Sequence, residues 1–220
     1  LFPADIKSTL FSSLGDKLNI IVASHKNPDG DAIGSSLGLA GILKKAGHNV
    51  NVLIPDMTPA FLSWLPGYED VCVYDFMPEK AMKMVKNADL LIIVDLSHPD
   101  RMGDMQNILS AFNGLSLQLD HHPGSGGFTT ASIIDSGCGS TSELIFDFLE
   151  WADLDRYLDK DNATCLLTGI ITDTLGFKVA SSYPGVFKVV MKLMEAGADK
   201  DQVFDQVYNQ YSENRLRLMG

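Results

Sequence analysis

Short apolar runs, each followed by polar residues, alternate along this chain with longer stretches of helical period. Asn19–Ser24, Asn49–Ile54, Val71–Tyr74, Leu90–Val94, Leu115–Leu119 and Thr130–Ile134 have the length and the apolar or β-branched content of strands. Leu90–Val94 is apolar throughout, as a central strand covered on both faces should be. Between these runs Ala32–Ala46, Pro59–Leu65, Glu79–Ala88 and Met105–Phe112 read as helices or helical turns, with Gly47 placed to stop the first. The alternation predicts an α/β fold, doubly wound, with a mainly parallel sheet flanked by helices. Gly34, Gly38 and Gly41 recur at helical spacing inside Ala32–Ala46. Each weakens a helix by about 1 kcal/mol relative to Ala, so close packing of this helix on the sheet is expected.

Beyond residue 140 the pattern changes. Ser140-Thr141-Ser142-Glu143 has the spacing of a capping box ahead of Leu144, Ile145, Phe148 and Leu149, and a helix N-terminus there could hold an anion. Asn162–Thr172, Gly185–Ala196 and Asp201–Leu218 read as helices, which predicts a helical C-terminal part capping the sheet domain. At the other end Leu1–Leu18 places Ile6, Leu10, Phe11 and Leu14 on one face of an amphipathic helix. The whole chain is expected to form one catalytic unit, with a sheet region over 1–177 and a helical segment over 178–220.

Composition narrows the function classes. No apolar run approaches the ~20 residues that cross a bilayer, and no basic-then-apolar leader opens the chain, so a soluble cytoplasmic protein is expected, with no membrane partner. Cys72, Cys138 and Cys165 are odd in number and in no paired spacing, which predicts idle thiols rather than a disulfide framework or a thiolate metal site. The net charge of −11 argues against long double-stranded nucleic acid as a partner, since Lys and Arg make most phosphate contacts. Several carboxylates nevertheless sit in or beside apolar strands, where an ionised group must be paired or must bind a cation.

Those carboxylates cluster with imidazoles. Leu115–Leu119 runs straight into Asp120, His121 and His122; Asn19–Ser24 leads into His25, Asp29 and Asp31; Leu90–Val94 leads into Asp95; and Asp173, after Gly169–Thr172, is expected at a fourth strand end, although the same stretch belongs to the helical reading of Asn162–Thr172. Strand ends are where α/β folds place their chemistry, so the four stretches read as one metal site. Asp29 and Asp31, two residues apart, can point toward different ions. Carboxylates and imidazoles without thiolates favour Mn²⁺, Mg²⁺ or Fe²⁺ over structural zinc, with Mn²⁺ first among them. A carboxylate such as Asp95 can bridge two ions about 3.5–4 Å apart, an arrangement that generates a bridging hydroxide and clamps a phosphoryl group.

The quoted motifs, His25-Lys26-Asn27-Pro28-Asp29-Gly30-Asp31 with Gly34 and Ser35, Val94-Asp95-Leu96, Asp120-His121-His122-Pro123 and Thr172-Asp173-Thr174-Leu175-Gly176-Phe177, resemble those of the DHH phosphoesterases, and within them the bacterial oligoribonucleases that also act on pAp. The resemblance implies one Mn²⁺ on His25, Asp29 and Asp95, and a second on Asp31, Asp95, His121 and Asp173. It implies that Asp120 orients an imidazole and that His122 faces the substrate phosphate. Ser140, Thr141 and Arg101 are expected to touch substrate. The expected activity is two-metal hydrolysis of phosphodiester or phosphomonoester bonds in short RNA or small nucleotides such as pApA and pAp; a family II-like inorganic pyrophosphatase and a non-catalytic nucleotide-binding module are the alternatives. Assembly into homo-oligomers is compatible with the sequence. Most members of this branch carry a second, smaller domain with a Gly-rich motif ending in His; no such motif is present between Leu1 and Gly220, which suggests a catalytic domain alone.

Overall fold

The six strands expected between residues 19 and 134 all form and lie side by side in one parallel sheet in the computed structural model, which describes residues 17–179 and 184–209, whereas the strand end expected at Gly169–Thr172 is helical. In chain order these are β1 (Asn19–Ala23), β2 (Asn49–Ile54), β3 (Cys72–Val73), β4 (Leu90–Val94), β5 (Leu115–Asp120) and β6 (Ala131–Ile134). Their spatial order is β3-β2-β1-β4-β5-β6. The order reverses between β1 and β4, which pair in parallel from Ile20 opposite Leu90 to Ala23 opposite Ile93. The crevice beyond the carboxyl ends of two such strands is the place where doubly wound sheets bind ligands.

The helices are α1 (Gly30–Lys45), α2 (Pro78–Lys86), α3 (Asn107–Ala111), α4 (Thr141–Trp151), α5 (Lys160–Asp173), α6 (Pro184–Glu195) and α7 (Lys200–Tyr208). Side chains alternate across a strand, so the sheet builds two cores. Ile20, Val22, Leu90, Ile92 and Val94 face the layer containing α1, α4, α5 and α6. Ile21, Ala23, Leu91 and Ile93 face Ala81 and Val85 of α2 together with Met102, Met105 and Ile108. Each such aliphatic side chain, taken fully out of water, contributes about 1.5–3 kcal/mol.

Several expectations shift. α1 begins at Gly30, two residues earlier than its apolar pattern suggests, because Asp29 caps it: Oδ1 accepts the N–H groups of Asp31 and Ala32, both at 3.0 Å. Its glycines face α5 rather than the sheet. A Cβ at Gly30 would collide with the Thr172 side chain, one at Gly34 with the Cys165 carbonyl and the Gly169 nitrogen, and one at Gly38 with Leu166. α5 therefore lies tight along α1 and is part of the main layer, not a cap over a finished domain. The helix expected over Met105–Phe112 is a 3-10 stretch, Pro99–Gln106, followed by α3, and Gly103 breaks it with φ 57°. The helix expected over Leu1–Leu18 falls outside the described residues except for Lys17 and Leu18, and the one expected over Asp201–Leu218 is described only as far as Asn209. No helix among the described residues is long and apolar enough to cross a membrane.

Candidate metal centre

All the expected ligands converge on the carboxyl edge of the sheet at its reversal point. His25, Asp29 and Asp31 follow β1, Asp95 follows β4, and Asp120 is the last residue of β5 with His121 and His122 behind it. Asp173 arrives differently. It closes helix α5 and does not end a strand, because Asp159 and Asn162 cap a continuous helix over Lys160–Asp173. The glycine seam with α1 then brings that helix end to the sheet edge.

Three overlapping groups of donor atoms result, the atoms of each lying within 4.8 Å of one another: His25, Asp29 and Asp95; Asp31, His121 and Asp173; and Asp95, His121 and His122. Asp95 links them through its two oxygens. Oδ2 lies 3.4 Å from His25 Nε2, whereas Oδ1 lies 3.8 Å from His121 Nε2 and 3.6 Å from His122 Nδ1. On the far side His121 Nε2 is 3.3 Å from Asp173 Oδ2. Asp95 reaches this position with φ 53°, and Asn27, Leu175 and Phe177 in the neighbouring motifs share the left-handed region. Non-glycine residues there cost free energy and persist where surrounding structure enforces them, commonly at functional sites.

The imidazoles are aimed by what holds their other nitrogen. A carbonyl only accepts, so Nδ1 of His25, 2.8 Å from the Lys26 carbonyl, and Nδ1 of His121, 3.3 Å from the Cys138 carbonyl, carry the proton. Both Nε2 lone pairs are thereby left facing the carboxylates, the tautomer a metal ligand needs. His122 is held instead by Asp120, whose Oδ1 is 2.8 Å from Nδ1 and which also accepts from Ser125 Oγ. Asp120 is fully buried, whereas the His122 ring is partly exposed.

The start of α4 departs from expectation. Ser140 and Thr141, expected to touch substrate, are fully buried. Ser140 Oγ caps the helix by accepting the Glu143 N–H at 3.0 Å, but the Glu143 carboxylate takes the Gly139 N–H at 2.8 Å instead of completing the expected box on Ser140. The anion at this helix N-terminus is the protein's own Asp31: Thr141 N–H donates to Oδ2 at 2.6 Å and Ser142 N–H to Oδ1 at 3.0 Å. Thr141 Oγ1 also donates to Asp95 Oδ1 at 2.9 Å. The helix start was visible in the sequence, but nothing in its spacing named the carboxylate it would hold. Arg101, by contrast, is exposed on the turn whose carbonyl accepts the Lys26 N–H at 2.7 Å.

The profile of the DHH family, N-terminal domain, matches residues 19–170. The chain belongs to the DHH family. Among curated DHH relatives it is 30% identical over 201 residues to the bifunctional oligoribonuclease and PAP phosphatase NrnA of Thermus thermophilus, covering 91% of this chain and 57% of that protein. It is 29% identical over 189 residues to the cyclic-di-AMP phosphodiesterase PdeA of Listeria monocytogenes, covering 82% of this chain and 28% of that protein. The crystal structure of an exopolyphosphatase-related protein from Bacteroides fragilis superposes with a TM-score of 0.93 at 37% identity, over 98% of this chain and 64% of that one. This DHH chain thus spans about half the length, or less, of the two curated relatives.

The electrostatics of the DHH centre fit a cation. Burial pushes the Asp31 carboxyl well above the usual carboxylate range, and the charges of Asp95 and Asp173 add to it. Burial likewise raises Asp173 to about 6, against the pull of His121 and with the push of Asp95. Asp95 goes the other way: burial disfavours its charge, but His25, His121 and His122 together hold its pKa down. Buried carboxylates crowded in this manner destabilise one another unless positive charge is supplied, and two divalent ions in the two outer groups would supply it. The fit extends to coordination, because the Nε2 atoms and carboxylate oxygens already point inward. A groove of about 730 Å³ lies elsewhere, at the amino end of β2, and holds no such chemistry: its Lys44 and Lys45 are paired with Asp70 and Asp159.

Proposed function

We propose that this chain is the catalytic part of a two-metal phosphoesterase that hydrolyses phosphoester bonds in short oligonucleotides or small nucleotides, pApA and pAp among them. The observation that carries the reading is the placement of Asp95 between two clusters of donor atoms, with Oδ2 3.4 Å from His25 Nε2 and Oδ1 3.8 Å from His121 Nε2. We assign one ion to His25, Asp29 and Asp95 and the other to Asp31, His121 and Asp173 with Asp95 as the bridge, and leave His122, which also lies near Asp95 and His121, to the substrate. Mn²⁺ is the proposed ion. Two divalent ions held by these residues would supply an activated water and a clamp on the phosphoryl oxygens.

The chain's own residues do the remaining work. Asp120 keeps a proton on His122 Nδ1, and the same hydrogen bond, against partial burial, raises the His122 pKa and favours the imidazolium. Nε2 then donates toward a phosphoryl oxygen as charge develops there. Lys26 and Arg101 flank the centre, and neither forms an ion pair among the described residues. These two cations are proposed to receive the non-reacting phosphates of the substrate. Their small number in a chain of net charge −11 suits a short nucleotide better than a long polyanion.

The names of the relatives support a nucleotide substrate: one is an oligoribonuclease and PAP phosphatase, the other a cyclic-di-AMP phosphodiesterase. We further propose that positioning of a nucleotide needs contacts beyond residue 220, because remote binding energy raises both affinity and rate. The test compares kcat/KM on bis-p-nitrophenyl phosphate, pApA, pAp and pyrophosphate with Mn²⁺, for this chain and for one extended to its relatives' length. Hydrolysis of the activated diester by both, with pApA and pAp turned over much faster by the extended chain, is the expected result. Absence of any hydrolysis from Mn²⁺-loaded protein would overturn the proposal, and a preference for pyrophosphate would replace it with the pyrophosphatase reading.

A further inference from the structure

The N-terminus of α4 points its first two N–H groups and one hydroxyl at carboxylates from two different ligand groups. Thr141 N–H and Ser142 N–H hold the two oxygens of Asp31, and Thr141 Oγ1 holds Asp95 Oδ1. The contacts are shielded from water, since Thr141, Asp31 and Asp95 are 0%, 1% and 2% exposed. A carboxylate oxygen that accepts one hydrogen bond keeps lone-pair capacity for another partner, so each contact fixes direction without consuming the ligand.

We infer that Thr141 is a positioning residue that sets both metal positions at once. Its backbone aims Asp31, its hydroxyl aims Asp95, and because both act from the first residue of one helix, the two carboxylates cannot turn independently. Ser142 contributes only to Asp31, and Ser140 to neither; Thr141 alone among the three spans the centre. Partners that orient metal ligands in this way are typically worth about 10–100-fold in metal affinity.

The inference rests on the reading of Asp31 and Asp95 as metal ligands, and the experiment separates the two. Mn²⁺ is titrated by calorimetry into metal-free wild type, Thr141→Val and Thr141→Ser, without substrate, with thermal unfolding of each protein as a check on the fold. Valine keeps the shape and the backbone N–H and removes only the hydroxyl. Weakening of at least one Mn²⁺ by about 10–100-fold in the valine variant, with serine restoring the wild-type affinity, is expected. Wild-type affinity for both ions in the valine variant, or a serine variant as weak as the valine one, overturns the inference. A wild-type protein that takes up no Mn²⁺ overturns the ligand reading instead. Should valine lower the melting temperature, Thr141→Ala, which removes bulk along with the hydroxyl, is judged by the same affinities.

Discussion

His25, Asp29 and Asp95 form one half of the centre; Asp31, His121 and Asp173 form the other, and the two halves are assembled by different means. The first draws two of its three members from a single five-residue turn and the third from the adjacent strand β4, so local chain geometry and one strand pairing suffice. Its Asp29 side chain is 60% exposed. The second gathers its members from the first turn of α1, the end of β5 and the last residue of α5, and it is braced by the buried start of α4. Nothing local brings those pieces together; the close approach of α1 and α5 does. Sites of the second kind depend on packing far from their own atoms, and that difference can be attacked.

Asp95 is a member of the first half and its Oδ1 lies 3.8 Å from His121 Nε2 of the second, so as the proposed bridge Asp95→Asn has the largest effect: binding of both ions and all activity are lost, as metal analysis after Mn²⁺ loading will show. Retention of one ion at wild-type affinity would mean that the halves do not share this carboxylate. Gly34→Ala bears mainly on the second half. Its methyl group would meet the Cys165 carbonyl and the Gly169 backbone, forcing α1 and α5 apart at a cost of about 1–3 kcal/mol. Thermal unfolding should register that cost, and Mn²⁺ titration should show weaker binding of the ion held by Asp31, with the His25 half less affected. Equal weakening of both ions would erase the distinction. His122→Ala removes a ring that is hydrogen-bonded to Asp120 and lies beside Asp95 and His121 without being one of the proposed ligands. Both ions remain and kcat falls by about 10²–10³, the usual cost of removing one donor to developing charge; loss of metal would make His122 a ligand.

The same contrast explains what could be read from the sequence. The first half was legible because its residues are neighbours along the chain or end an apolar strand, and the parallel sheet followed from the alternation of runs. The second half was legible only as a list. The sequence around Asp173 fits both a strand end and part of a helix, since Gly169–Thr172 carries the same apolar signal in either state; the distant cap at Asp159 decides it. The glycines of α1 announced a close approach but not its partner, and α5 rather than the sheet fills that role. The polar run Ser140–Ser142 announced a helix start that attracts an anion, yet the anion came from Asp31, more than a hundred residues away in the chain. Periodicity carries burial and direction. Partner identity across such separations is tertiary.

The backbone of Asp95 restricts which residues could ever replace it. With φ 53° at the end of β4, the position suits glycine, asparagine or aspartate, and a longer or branched side chain there costs about 1–2 kcal/mol. Glycine lacks a donor atom, and asparagine lacks the charge that two cations would share. Glutamate brings the charge on a longer side chain that the backbone resists. Conformation and the proposed chemistry therefore favour the same residue by independent routes.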